Sequence, residues 1–372
     1  MARFLWILMG VTALAHIGPA IGAAEFARRL GAPHPWAVSA ALLTVGLGLF
    51  LGRARTGMSD HHKPRWHVLL IDEPYYVHWT ACLFSLIPSL IVVPACAAAG
   101  GSIGAGLMWL YGLGVVVCGY GVVVRRRIFE IERVEITIRG LDPAFDGYRI
   151  AQLSDLHIGA ITPKSWGHRW VEAANREQPD LAVVTGDMVT NGIEFHHDIA
   201  EVVGALRARD GAFVSMGNHD YFGEGEPLAS LITARGANVL RNAGTLLTRG
   251  DAAIYLAAID DTWTKRDDMA LALRDRPEGT PALLLSHDPE RFREAERRGV
   301  DLVLSGHTHG GQIALPFFPE RVSLSRLTHH YHLGLYKKGR STLYVHPGLG
   351  TTGPPIRLGV APAIAIITLR AA

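Results

Sequence analysis

The side chains with chemistry to offer fall into five short clusters in the second half of the chain: Asp155-x-His157, Gly186-Asp187, Gly217-Asn218-His219-Asp220, His287, and Gly306-His307-Thr308-His309-Gly310-Gly311. Each follows a short apolar run, and in layered α/β folds ligands gather at the carboxyl ends of strands. In extended backbone residues i and i+2 face the same way, so His307 and His309 can reach one point while the glycines let the backbone approach. A glycine ahead of Asn218, His219 and Asp220 permits a turn that faces all three inward. Taken singly, Asp155-x-His157 reads equally as turn formers or a helix cap, Asp187 as an Asx turn, and His287 as a helix start. Taken together and in order, the clusters point to a metal site. The three cysteines, Cys82, Cys96 and Cys118, all lie in apolar stretches of the first half, so an ion bound here takes nitrogen and oxygen ligands.

This series resembles the signature of the calcineurin-like metallophosphoesterases, with every motif present and in order over about residues 145–370. The resemblance implies a β-sandwich flanked by helices that carries two divalent metals at its strand ends. Asp155, His157 and His309 would hold one ion, Asn218, His287 and His307 the other, and Asp187 would bridge them. Gln312, the Gly348-Leu349-Gly350-Thr351-Thr352-Gly353 stretch ahead of Pro355-Ile356-Arg357, and the apolar N-terminal half are similar to a membrane-attached bacterial branch. That branch includes lipid-A-pathway pyrophosphatases that cleave UDP-2,3-diacylglucosamine.

The chemistry follows from charge. Two divalent ions ~3.5 to 4 Å apart need a shared anion to offset their repulsion, and a carboxylate plus a hydroxide supplies it. Such ions lower the pKa of water, orient it for in-line attack on phosphorus and neutralise developing phosphoryl charge. Imidazole and carboxylate ligands suit Mn, Fe or Zn alike. With Asn218 as ligand, His219 is left to protonate the leaving oxygen or stabilise the transition state, and Asp220 is expected to fix its tautomer through the second ring nitrogen.

The elements that position these residues are short. Val134, Ile136 and Ile138 alternate with polar residues as a half-buried strand does. Strand-like runs follow at 148–153, 181–184, 212–215, 282–285 and 302–304, with amphipathic helical segments at 166–177 and 199–207. This is the rhythm of an α/β layered domain. His196-His197-Asp198, His329-His330 and His332 lie outside the motifs and read as solvated loop residues, not ligands. Pro316-Phe317-Phe318-Pro319 reads either as a buried corner or as an apolar loop that meets a lipid interface.

Ahead of this domain the composition changes. The first 124 residues hold 11 charged side chains and the remaining 248 hold 59, so charge density rises from about 9% to about 24%, the globular value. Four apolar runs, about 4–24, 36–51, 79–99 and 103–124, read as spans, because about 20 residues cross a ~30 Å hydrocarbon core. The second, about 16 residues, is short enough to be re-entrant. The expected organisation is a helical membrane region over 1–127 and a metallophosphoesterase domain over 128–372. Counting Lys and Arg in the loops, Arg3, Arg53, Arg55, Lys63, Arg65 and Arg125–Arg127 fall on one side and Arg28 and Arg29 on the other. That bias predicts a multi-pass protein with a cytoplasmic catalytic domain, and the resemblance to the bacterial branch implies that the membrane is the bacterial inner membrane.

The domain's net charge of −1 argues against nucleic acid as a partner. Transport is disfavoured, because ionisable residues within the runs are confined to His16 and the flanks. The expected activity is metal-dependent hydrolysis of a phosphodiester or pyrophosphate in a phosphorylated, lipid-linked substrate. The alternative is a non-catalytic scaffold or sensor, which would have no need of the complete ligand set.

Overall fold

The computed structural model describes residues 2–56 and 60–372. The side chains of residues 2–5, 55 and 56 lie outside that description, and with them Arg3 and Arg55 of the basic count. The chain divides into two compact units, Met1–Ser59 with Lys63–Arg125, and Asp60–His62 with Arg126–Ala372.

Among the described residues, four helices are long and apolar enough to cross a membrane: Trp6–Arg29, Pro35–Ala54, Arg65–Ala98 and Ile103–Arg127. The first and fourth run a few residues past the hydropathy runs, and the second and third differ from them more. The second is 20 residues long, because Pro35 opens it without wasting an N–H and the helix continues through Arg53. The third starts at Arg65, well ahead of Trp79, and carries buried Asp72 and Glu73 through a π-helical turn at Val68–Asp72. Asp72 can be buried because its carboxylate is paired with Arg53 (2.5 Å) and Lys63 (3.3 Å). His78 therefore lies within the bundle rather than on a flank. Trp79 ties the third helix to the first, its indole N–H donating to Thr12 Oγ1 at 3.2 Å.

The second unit is built on twelve strands: β1 Glu130–Ile138, β2 Arg149–Leu153, β3 Leu181–Thr185, β4 Ala212–Ser215, β5 Asn238–Val239, β6 Ala243–Arg249, β7 Ala252–Ala258, β8 Ala282–Leu285, β9 Leu302–Ser305, β10 Gly334–Lys338, β11 Ser341–Val345 and β12 Ala363–Ala371. They form two six-stranded sheets, ordered β1-β12-β2-β3-β4-β5 and β10-β11-β9-β8-β7-β6. In the first, β2 to β5 are mutually parallel; in the second, β7, β8, β9 and β11 are. The parallel core strands β3, β4, β8 and β9 are buried along their whole length, as expected of strands covered on both faces.

The inner faces meet in one apolar layer, with Ile136, Ile150, Val183 and Ile367 of one sheet against Leu256, Leu283, Leu304 and Tyr344 of the other. Outside the first sheet, Ala151, Val184 and Val214 pack against Trp170 and Val171 of helix Lys164–Arg176, Ile199 and Val203 of His196–Gly204, and Leu228 and Ile232 of Gly225–Ala234. Outside the second, Tyr255, Leu284 and Val303 pack against Met269 and Phe292. The result is a helix/sheet/sheet/helix sandwich in which β2, β3, β4, β8 and β9 run in one direction and end on one side. His196 and His332 belong to this packing. Both are buried, which corrects the reading of them as solvated loop residues, whereas His197 and His330 are exposed.

Candidate metal centre

The loops that leave β2, β3, β4, β8 and β9 bring all five clusters together. Asp155, His157, Asp187 and His309 present one ligand atom each within 4.8 Å of one another, and so do Asp187, His287 and His307. Asp187 is common to both groups. The contacts are close: His157 Nε2 to His309 Nε2 3.0 Å, His309 Nε2 to Asp155 Oδ1 3.2 Å, His287 Nε2 to Asp187 Oδ2 3.1 Å, and His307 Nδ1 to His287 Nε2 3.2 Å.

The backbone is bent to do this. Asp155, His157, Asp187, His307 and His309 all sit at φ between 43° and 73°, the left-handed region that non-glycine residues rarely enter. Such conformations persist where the surrounding structure over-determines them. Gly186 is held at φ 80°, where a Cβ would strike the Gly217 backbone and the His287 ring. Gly350 passes so near the Leu156 carbonyl that a side chain there would collide with it. The fully buried Arg357 guanidinium donates to the carbonyls of His309 (3.2 Å), Pro347 (2.6 Å) and Gly350 (2.6 Å), tying the last metal motif to the glycine-rich loop. Gln312 pairs with the Thr352 backbone through both amide atoms.

The donor set fits cations. Asn218 is buried, yet its Oδ1 accepts no hydrogen bond, which is costly unless something electropositive faces it. His287 donates Nδ1–H to the Thr185 carbonyl at 2.7 Å, so its Nε2 carries the lone pair toward Asp187 when the ring is neutral. Burial pushes the Asp155 carboxyl up to about 6, the opposing pull of His287 notwithstanding. Burial works against the His287 imidazolium, but the Asp187 carboxylate lifts it to about 10. Asp187 is held well below the usual carboxylate range, its burial outweighed by His287 and His219. Burial depresses His157 to about 3, His307 to about 4, and His309 well below the usual histidine range.

Asp220 departs from the sequence expectation. The His219 ring donates Nδ1–H to the Thr190 carbonyl at 2.7 Å, leaving Nε2 toward the site with Thr352 Oγ1 3.5 Å away. Asp220 does not orient that ring. Its carboxylate accepts the backbone N–H groups of Asp187, Met188, Val189 and Gly217 at 2.8–3.2 Å, so it fixes the loop that carries Asp187. Thr190 is invisible to motif reading because it acts through its carbonyl. Phe222 and Trp263 were not expected either. Both are exposed, with ring centres 4.5 Å from His219 and 5.5 Å from His307 respectively, and they wall the mouth of the site. The His329 ring, assigned no role from sequence, lies 5.5 Å from His307.

A sandwich of two sheets with a strand-end Asp/His centre defines a metallophosphoesterase-type domain. Residues 148–311 match the family model described as calcineurin-like phosphoesterase. The chain is 34% identical over 258 residues to an uncharacterized metallophosphoesterase of Bacillus subtilis, covering 68% of this chain and 90% of that one. It is 32% identical to a zebrafish (Danio rerio) transmembrane protein with metallophosphoesterase domain and 33% identical to an uncharacterized metallophosphoesterase of Helicobacter pylori. The alignments cover 69% and 62% of this chain and 61% of each relative's own length. The chain belongs to the calcineurin-like phosphoesterase family.

Two outcomes follow from this geometry. Metal uptake must displace the His287 proton below about pH 10 and also the Asp155 proton below about pH 6. Apparent affinity is thus expected to rise about tenfold per pH unit above pH 6 and about 100-fold per unit below it. Calorimetric Mn²⁺ titrations in buffers of different ionisation enthalpy count those protons, and a release that stays constant from about pH 5 to about 8 would contradict the assignment. Asp220→Ala strips the acceptor from four buried N–H groups, at ~1 to 3 kcal/mol for a buried group left unpaired. The domain is expected to lose at least ~2 kcal/mol of stability, read from its denaturant midpoint, along with its metal.

Proposed function

We propose that this chain is a membrane-bound dimetal phosphoesterase that hydrolyses a phosphodiester or pyrophosphate bond. The observation that carries the reading is Asp187, shared by two ligand groups, with the unpartnered Asn218 Oδ1 beside them. Asp155, His157 and His309 would hold one ion, Asn218, His287 and His307 the other, and Asp187 would lie between them. Two divalent ions, Mn, Fe or Zn, supply Lewis acidity that lowers the pKa of water and offsets phosphoryl charge. The protein's part is to place a proton donor opposite. His219, anchored by Thr190 and only partly buried, has Nε2 available to a leaving oxygen when the ring is protonated. Asp220 contributes through the loop it pins.

We extend the proposal to a lipid-linked substrate such as UDP-2,3-diacylglucosamine, acting from a domain over 128–372 attached to a membrane region over 1–127. The loop after the last metal motif supports it. Phe317 is 92% exposed at φ 70°, Leu327 is 83% exposed, and Leu315, Phe318, Val322 and Leu324 are each more than half exposed. Contiguous exposed apolar side chains on a soluble surface mark an interaction site. Arg321 and Arg326 stand among them, as suits a phosphate-bearing amphiphile. The bias of loop Lys and Arg toward one face supports a cytoplasmic domain on the bacterial inner membrane.

Detergent-purified protein with Mn²⁺ is expected to cleave both a chromogenic phosphodiester and UDP-diacylglucosamine, the lipid with the far higher kcat/KM, and Asp187→Ala is expected to be inactive. Turnover of the chromogenic ester alone would sink the lipid reading and keep the enzyme; no turnover with metal bound would favour a scaffold. His219→Ala should keep its metal and lose ~10² to 10⁴ in kcat. Replacing Phe317 and Phe318 with Ser should lower activity on micellar substrate and spare the soluble ester, and equal effects on both would remove the loop from lipid recognition.

A further inference from the structure

The helical unit holds a second set of metal-competent side chains that the phosphoesterase reading does not use. His16 of the first helix and His78 and Cys82 of the third each offer a ligand atom within 4.8 Å of the others. His78 and Cys82 are i and i+4 on one helix face, with Cys82 Sγ 3.9 Å from both His78 ring nitrogens. The His16 and His78 rings meet edge-on at 5.1 Å.

The rings are oriented as ligands are. His16 Nδ1 lies 2.7 Å from the Thr12 carbonyl, which can only accept, so in the neutral ring the proton sits there and the Nε2 lone pair faces inward. Thr12 is in turn held by the Trp79 indole. His78 Nδ1 is engaged by the Tyr111 hydroxyl at 2.8 Å, which leaves its Nε2 for the cluster. Outer partners of this kind fix ring orientation at metal sites. Room has been left as well. Gly46 faces the rings where a Cβ would lie 2.7 Å from His16 Cδ2, and a cavity of about 140 Å³ opens beside them, lined by His16, His78, Tyr111, Leu42 and Met108.

We propose that His16, His78 and Cys82 form an intramembrane site for a single Cu(I) ion. Two imidazoles and a thiolate suit soft or borderline metals. In an apolar bundle net charge decides between them: Cu(I) with one thiolate sums to zero, whereas a divalent ion leaves an uncompensated positive charge. Met108, a residue with a soft thioether, also lines the cavity. Binding transfers the Cys82 thiol proton to solvent and forms the copper–sulfur bond with no change of oxidation state.

The full-length protein in detergent, pre-filled with Mn²⁺, is titrated anaerobically with Cu(I) against a chromogenic Cu(I) chelator. Wild type is expected to retain one equivalent; Cys82→Ser, His78→Gln and His16→Gln are expected to retain none, while eluting as wild type does and keeping Mn²⁺-dependent hydrolysis. Tyr111→Phe should weaken retention roughly 10-fold. Cys96→Ser and Cys118→Ser should retain the ion. X-ray absorption should show sulfur bound to copper at thiolate distance, a signal that Cys82→Ser abolishes and that the phosphoesterase half, which has no cysteine, cannot supply as a thiolate. Retention undiminished in Cys82→Ser, a nitrogen- and oxygen-only copper shell, or retention of Zn²⁺ in place of Cu(I) would overturn the proposal.

Discussion

Everything in the phosphoesterase unit answers to one electrostatic problem: the lone pairs of four histidines and two carboxylates are packed at about 3 Å, out of water, around Asp187. Imidazoles and carboxylates repel at that range unless protons or metal ions stand between them. Burial pushes the Asp155 carboxyl up to about 6, and the Asp187 carboxylate lifts the His287 imidazole to about 10. The fold meets the cost with rigidity. Left-handed ligand residues, the buried Arg357 fan and the four-fold Asp220 clasp hold the loops in a conformation that they would leave if free.

That arrangement explains why so much of the site was legible in sequence. Side chains able to hold a metal are few in type and gather at strand ends, so Asp155, Asp187, His287 and His307 could be picked out as candidates without a structure. The central strands were legible for a related reason. β3, β4, β8 and β9 are buried on both faces and read as short apolar runs between turn residues. The strands at the two edges of the second sheet were not. β6 is mostly half-buried and β10 mostly exposed, and their sequences, Ala243–Arg249 and Gly334–Lys338, lack a clean alternation that periodicity could detect.

The roles of His219 and Asp220 mark where motif reading stops. A carboxylate one residue from a histidine invites the reading that it orients the ring, because both are seen as side chains. The structure gives the ring to a backbone carbonyl, that of Thr190, and gives the carboxylate to four backbone amides. Backbone groups are the same at every position, so residue types carry no trace of them. The same limit hid the role of Gly350, which was noted only as part of a glycine-rich stretch and whose requirement is space against the Leu156 carbonyl.

In the membrane half the limit is different. A hydropathy run ends where polar residues begin, whereas a helix ends only where its backbone bonds lose their partners. Arg53 and Lys63 both pair with the Asp72 carboxylate, and the third helix passes through Asp72 and Glu73 with no break. His78 is thereby carried from an apparent flank into the bundle, one turn ahead of Cys82 and edge-on to His16. A polar residue placed there without a partner would cost stability in an apolar surrounding. Thr12 and Tyr111 satisfy one nitrogen on each ring, and the remaining nitrogens converge beside a thiol. A bundle that served only to anchor would have no use for three such groups at one point, and the convergence of the spare nitrogens on the thiol argues that the helices carry chemistry of their own.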